Sequence, residues 1–370
     1  MPRKMIVVAG ASGLAGSAVV RHFAGREGYD VVALSRKRPF ALPASARHLA
    51  LDLTDAPACA AAMEALGSVT HLVYAAVNED SANLVAGWTD PARIELNAAM
   101  LRNILDPILH HHGSDLRHVA LIHGAKAYGT HLAARLPMPM TERLPRTPQD
   151  NFYYRQEDYV AGLQKGQDWH WTVFRPVMIA GLAVGANMNP FLVLGVYAAL
   201  LKEAGLSMPM PRGWASVVDA TDADVIAEAV AWAQESPAAW NDSFNLANGD
   251  VVDMHAAMRV AGEDFGLSFV DSDGYNMAEK VRELSHLWPG IVARHGLEAP
   301  ADLDALLGTS LQVAGWSAVT KDPLEWGLIS TIKVRRAGFN VCIDTQEMIR
   351  KYMALFRQHR LLPAGSLMEA

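Results

Sequence analysis

Cysteine is nearly absent from this chain: Cys59 and Cys342 are the only two in 370 residues, and they form no CxxC spacing. That excludes a disulfide scaffold and a cysteine zinc site, and it fits a reducing cytoplasm. Charge is sparse as well. Asp, Glu, Lys and Arg make up 19%, with 32 basic against 39 acidic side chains and a net charge of −7. The longest basic cluster is Arg36-Lys37-Arg38, too short for a nucleic-acid footprint. No uninterrupted apolar run has membrane-spanning length. The uncharged stretch 177–201 is broken by Gly181, Gly185, Asn187, Asn189 and Pro190, and reads as a strand end, a loop and a core helix. The apolar run after Met1 is too short for a signal peptide and leads straight into a strand. The run His110-His111-His112 reads as a solvated helix end, where consecutive side chains point apart and cannot chelate together, so no metal is expected. With 51% hydrophobic residues the chain is globular, one large domain or two unequal ones, suited to small-molecule partners.

Short β-branched or apolar runs at 5–9, 31–35, 48–51, 69–76 and 117–123 alternate with segments of helical spacing at 14–24, 57–66 and 92–110. Alternation of this kind predicts βαβ units around a parallel sheet, and 169–175 is expected to add a sixth strand. The expected fold class is α/β, a Rossmann-type doubly wound sheet over 1–181 followed by a smaller, mainly helical substrate-side region over 182–370. That second region has room to return strands to the core. Two proline-rich segments, 136–150 and 207–213, are expected to be loops over the site. Near the C-terminus, Asp344-Thr-Gln-Glu347 reads as a helix start, followed by Ile349, Tyr352, Met353 and Phe356 on one face.

The most informative motif is Gly10-Ala-Ser12-Gly13-Leu14-Ala-Gly16, placed after a predicted strand and before a predicted helix. Gly10 permits a tight turn, Gly13 lets backbone amides approach a pyrophosphate, and Gly16 lets the helix pack close to the sheet. The end of the second strand usually carries a carboxylate for the adenosine ribose of NAD, yet here Ser35 and Arg36 stand. A carboxylate repels a 2′-phosphate, whereas Ser35 can donate a hydrogen bond to it and Arg36 can pair with it, which favours NADPH. Asp52, after the third strand, either faces the adenine edge or caps the next helix. Lys126, one of nine lysines, lies at the carboxyl end of a predicted parallel strand, the edge where open α/β sheets bind ligands. On position alone it is either functional or a surface lysine, and Tyr153 is either functional or part of an aromatic helix face with Phe152, Tyr154 and Tyr159.

The glycine turn, the Asp52-Leu53 step, Asn97 in a long helix and Arg175-Pro176 closing the sixth strand resemble an extended short-chain dehydrogenase/reductase. One signature is missing: no tyrosine is followed by lysine four positions on, since Glu157 follows Tyr153 and Asp158 follows Tyr154. Two segments, His123-Gly-Ala-Lys126-Ala-Tyr128-Gly129 and Asn151-Phe-Tyr153-Tyr154-Arg-Gln-Glu-Asp158, resemble the progesterone 5β-reductase/iridoid synthase-like (PRISE) group of that superfamily. Segments 174–181, 188–189, 196–199, 244–249 and 330–339 are similar to the same group, so the resemblance covers nearly the whole chain. It implies a catalytic lysine at the strand end and a catalytic tyrosine first in the pair, here Lys126 and Tyr153. It also implies conjugate reduction of enones by hydride from NADPH. The sequence departs from the group at Gly181-Leu-Ala-Val-Gly185, where members usually place bulky pocket residues.

The expected cofactor contacts are Gly10, Ser12, Gly13, Leu14, Gly16, Ser35, Arg36, Asp52, Leu53, Ala75, Asn97, Lys126, Tyr153, Pro176, Met178 and Ile179. Tyr128, Tyr154, Met188 and Asn189 are expected to line the substrate pocket. Met138, Met140, Met178, Met188, Met208 and Met210 either serve a flexible apolar pocket or merely fill space. The expected function is an NADPH-dependent 1,4-reductase acting on a small apolar enone or enal in the cytoplasm, without nucleic acid or membrane; a homodimer stays open. The alternatives are a 1,2-carbonyl reductase, a catalytically silent NADPH-binding sensor, and a nucleotide-sugar epimerase or dehydratase using Arg212, Arg335 and Arg336.

Overall fold

The computed structural model describes residues 3–132, 136–211, 217–273, 276–314 and 328–365. Six strands lie in the order the sequence predicts: β1 Lys4–Ala9, β2 Tyr29–Ser35, β3 Ala46–Ala50, β4 Val69–Tyr74, β5 His118–Ile122 and β6 His170–Pro176. Between them run helices α1 Leu14–Ala24, α2 Ala56–Glu64, the single turn α3 Leu84–Gly87, α4 Pro91–His112 and, before β6, α5 Phe152–Gln164. A seventh strand, Asp242–Leu246, returns from later in the chain and pairs with β6. The sheet order is Asp242–Leu246, β6, β5, β4, β1, β2, β3, and every pair is parallel. Ile6, Val7, Val8 and Ala9 are all 0% exposed, as expected of a central strand covered by helices on both faces. The strand order reverses at β1, between β4 and β2. A crevice at the carboxyl ends of the strands there is where open α/β sheets take ligands.

The chain forms two compact units, and the polypeptide returns to the first one twice. The first unit holds Met1–Val177, Ala223–Ala247 and Ile329–Val341, where the sequence alone suggests a single boundary at 181. Helix Ala223–Glu235 explains one return, because its buried Val225, Ile226, Ala229 and Val230 form an apolar face and the helix packs on α1. The second unit holds Met178–Asp222, Asn248–Leu328 and Cys342–Ala370. Its centre is helix Pro190–Glu203, whose residues from Phe191 to Leu201 are all buried. Helix Thr345–Gln358 packs there too, capped by Asp344 through Glu347 N at 2.9 Å, with Ile349, Tyr352, Met353 and Phe356 buried as predicted.

Two local expectations need correction. Segment 208–211 is not a loop: Met208–Pro211 is a short strand parallel to Phe269–Ser272. Pro209 and Pro211 alternate with Met208 and Met210, so the missing amide donors fall on one side of the strand, which a two-stranded edge tolerates. The histidine run is not uniformly solvated either, since His112 is buried with Nε2 2.9 Å from the Met63 carbonyl oxygen. Segment 136–150 is irregular as expected, with only a bridge from Met140 to Ile329. Among the described residues no helix is long and apolar enough to cross a membrane.

Candidate active site

Gly10 leaves β1 at φ +83°, in the left-handed region, and a Cβ there would lie 2.6 Å from the carbonyl of Ala75 at the end of β4. A Cβ at Gly16 would overlap the Gly10 carbonyl, so α1 can approach the turn only without one. Gly13 is the N-cap of α1 and offers no side-chain cap, and the first turn holds no acidic residue. The first-turn amides therefore lack intrahelical acceptors and face outward at the positive end of the helix dipole. Ser12 is half-buried on the turn and Leu14 is buried beneath it. This cradle fits a pyrophosphate.

At the end of β2, Ser35 is buried and its hydroxyl donates to the Lys37 carbonyl at 2.7 Å, while Arg36 is exposed. The serine proton is engaged locally, which leaves Arg36 as the outward-facing group. Asp52 does not cap α2. Its Oδ1 accepts from Thr54 N at 2.9 Å and Thr54 Oγ1 at 2.8 Å, bonds that hold its pKa below the usual carboxylate value, and Asp55 supplies the cap. Leu53 is buried beside it. Asn97, 1% exposed on α4, accepts from Asn78 N at 2.7 Å and donates to the carbonyls of Asn78 and Arg93, both at 2.9 Å. Its amide is fully used in bracing the loop that follows β4.

Three buried tyrosines near the end of β5 differ in what their hydroxyls do. Tyr128 donates to Asn245 Oδ1 at 2.6 Å and accepts from Arg175 Nη1 at 3.1 Å, and Arg175 Nη2 in turn donates to Glu157 Oε2 at 3.1 Å. Tyr154 donates to the Ala127 carbonyl at 2.7 Å and accepts from Thr147 N at 3.2 Å. Both hydroxyls are tied to the fold. Tyr153 differs: its hydroxyl makes no hydrogen bond to any described residue. Its ring is fixed by stacking on His123, centroids 4.3 Å apart and 16° from parallel, and by an edge contact with Phe152 at 4.4 Å. Burial first, and then the charge of Glu79, push its phenol above the ordinary value.

Lys126 sits in a 3-10 turn, Ala125–Tyr128, two residues beyond Gly124 at the end of β5. It is 9% exposed, with Nζ 5.7 Å from the centre of the Tyr153 ring and 4.3 Å from that of Trp88. Nζ donates to Glu79 Oε1 at 3.1 Å, and the Trp88 indole donates to the same oxygen at 3.1 Å. Burial lowers the Lys126 pKa, and Glu79 opposes that shift. Asn151, the N-cap of α5, joins the pair through the backbone: Oδ1 accepts from Tyr153 N and Nδ2 donates to the Lys126 carbonyl, each at 2.9 Å. Glu79 and Trp88 escape the sequence reading, and His123 and Asn151 enter it only as members of the two quoted segments, without a role. An acidic residue just past the end of β4, on the edge that carries Lys126, was the available signal for Glu79.

Pro176 ends β6. The remaining expected contacts belong to the second unit. Met178 has φ +36°, a conformation that favours glycine, and Ile179 begins a two-residue strand paired with Thr221–Asp222. Met188 is half-buried. Asn189, expected in the pocket, is 1% exposed and caps its helix through Leu192 N at 3.3 Å while donating to the Gly181 carbonyl at 3.2 Å. The methionines serve different places: Met138 is 53% exposed, whereas Met140 packs with Tyr128, Ala247 and Ile329. Arg212 lies outside the described residues.

A family model described as a PRISE-like Rossmann-fold domain matches residues 6–306. The chain is similar to the (S)-8-oxocitronellyl enol synthase ISY1 of Nepeta racemosa, 32% identical over 68% of this chain and 65% of that protein. It is also similar to a 3-oxo-Delta(4,5)-steroid 5-beta-reductase of Arabidopsis thaliana, 31% identical over 68% of this chain and 66% of that one. The matched stretch thus spans just under two thirds of these relatives' lengths. Among solved structures, the UDP-glucose 4-epimerase of Thermotoga maritima superposes with a TM-score of 0.65 over 96% of this chain and 99% of that one. At 15% identity that likeness shows the fold alone.

Proposed function

Because this chain belongs to the PRISE-like Rossmann-fold family, we propose that it is an NADPH-dependent reductase of the C=C bond of small apolar enones or enals. The observation that carries the reading is the Tyr153 hydroxyl, held rigidly beside Lys126 with no bond to any described residue, while Tyr128 and Tyr154 are tied to the fold. The glycine turn and the uncapped start of α1 would hold the pyrophosphate, and exposed Arg36 would meet the 2′-phosphate. NADPH supplies the hydride. Addition at the β-carbon leaves an enolate, whose charge develops on the former carbonyl oxygen. Tyr153, whose phenol is pushed above its ordinary value by burial and then by Glu79, is the group that would donate to that oxygen. Lys126 sets the positive field behind it.

The names of the relatives agree with this chemistry. An enol is an enolate protonated on oxygen, and 5β reduction of a 3-oxo-Δ4,5 steroid places hydride on the β-carbon of an enone. The free thiols Cys59 and Cys342 suit a reducing cytoplasm. An assay of NADPH and NADH oxidation with enones, aldehydes and sugar nucleotides tests the reading. Enones with NADPH should be the productive pair, and Lys126→Met should lower turnover while the folded protein still binds NADPH. Wild-type turnover in Lys126→Met would remove the lysine from the site.

A further inference from the structure

We propose that Glu79 is a positioning residue for this reaction, holding Lys126 as a buried ammonium beside Tyr153. The inference rests on the assignment of Lys126 and Tyr153 made above, and its own basis is geometric. Glu79 is 3% exposed in its side chain, and Oε1 is shared by the Lys126 ammonium and the Trp88 indole, each at 3.1 Å. Nothing else among the described residues forms an ion pair with Lys126. Glu79 is itself anchored from behind: Asn97 clamps both the amide and the carbonyl of the preceding residue, Asn78, whose side chain also receives a bond from Arg93. The lysine therefore owes its place to a carboxylate 47 residues earlier in the chain, one that no lysine spacing reveals.

The charges around the pair are few. Facing Lys126 are Glu79 from the loop after β4, His131 from beyond the 3-10 turn, whose ring lies 5.9 Å from that of Trp88, and Tyr153 from α5. Facing Tyr153 are Glu79, Lys126 and the stacked His123, which lies in the field of Arg175 and Arg146. Arg93 lies behind the loop with Asp80 at 3.8 Å. Burial disfavours the charged form of an ammonium, and a carboxylate facing it favours that form. Removing the negative charge of Glu79 makes both Lys126 and Tyr153 release protons at lower pH, so the two effects act in the same direction.

Glu79→Gln keeps the volume and an acceptor for Trp88 while removing the charge. In unliganded protein carrying ¹³C-labelled lysine, with the Lys126 signal assigned by its loss in Lys126→Met, the titration midpoint of Lys126 should fall by about one pH unit or more in Glu79→Gln. The alkaline limb of kcat should move with it, so that one pH unit above the new midpoint the variant keeps about a tenth of its own plateau turnover. Glu79→Asp, which keeps the charge, should retain a midpoint within about half a unit of the wild type. An unmoved midpoint in Glu79→Gln, or a fall in Glu79→Asp as large as in Glu79→Gln, overturns the proposal, as does a loss of turnover with no change in pH profile. Full turnover in Lys126→Met would instead refute the catalytic assignment, and the titration would still report whether Glu79 holds the lysine.

Discussion

Side chains of one type carry different duties around Lys126, and hydrogen bonding separates them. If Tyr153 is the proposed donor to the oxyanion, Tyr153→Phe should cost about 2.7–4 kcal/mol, or about 10²–10³ in kcat, with little loss of stability. Tyr154→Phe instead breaks the bond to the Ala127 carbonyl and leaves Thr147 N without its acceptor. It should lower the unfolding free energy by about 1–3 kcal/mol and slow the reduction less than Tyr153→Phe does. Urea denaturation and steady-state kinetics on the two variants would separate these effects, and the opposite ranking in kcat would reverse the assignment. Arg36→Ala should weaken NADPH by about 10- to 150-fold, the loss of one charge-assisted pair, and leave NADH unchanged in a fluorescence titration. The proposed pair, Lys126 and Tyr153, comes from the sequence because each lies in a short segment with a recognisable pattern. Glu79 does not, because its partner stands 47 positions away and only the sheet brings the ends of β4 and β5 side by side.

Helix α5 presents Tyr153 from its first turn, so the start of that helix governs where the phenol stands. Asn151 caps it and bonds the Lys126 carbonyl with the same side chain. Asn151→Ala should destabilise the protein by about 0.5–2 kcal/mol, as loss of an N-cap does. Because the same change loosens the link between the two segments, kcat should fall as well, whereas Asp90→Ala at the start of α4 should lower the melting temperature alone. Equal kcat in the two cap variants would show that the Asn151 bridge has no part in placing the pair. The elements with clear periodicity, β1 to β6, α1 and α4, were legible to within a few residues. Strand Asp242–Leu246 was not, because Asp242, Ser243 and Asn245 give it little apolar pattern. It is held by pairing with β6 and by Asn245, whose Nδ2 donates to the carbonyls of Met140 and Ser330 at 3.1 Å. The prolines of Met208–Pro211 hid a second strand for the opposite reason, a rule about inner strands applied to an edge.

Across the first unit, His71, His118 and His170 occupy adjacent register positions on β4, β5 and β6. Burial is the leading cause that lowers all three, and His71 and His118 are each pushed down to about 3. A histidine whose folded pKa lies below its unfolded one stabilises the protein above the unfolded value, near 6.5, and that contribution disappears as the pH falls toward the folded value. Between pH 7 and pH 5 the loss is about 2 kcal/mol for each fully buried histidine, so about 4 kcal/mol for His71 and His118 together. Urea denaturation at the two pH values should show it, and equal stability would mean that these imidazoles accept protons without unfolding.

Conjugate and carbonyl reduction deliver hydride to different carbons, so the fate of the hydride distinguishes them. With NADPH carrying deuterium at the transferred C4 position and an enone as acceptor, mass and NMR analysis of the product locate the label. Conjugate reduction should give a saturated ketone or aldehyde with deuterium on the former β-carbon. Deuterium on the carbonyl carbon of an allylic alcohol would contradict it.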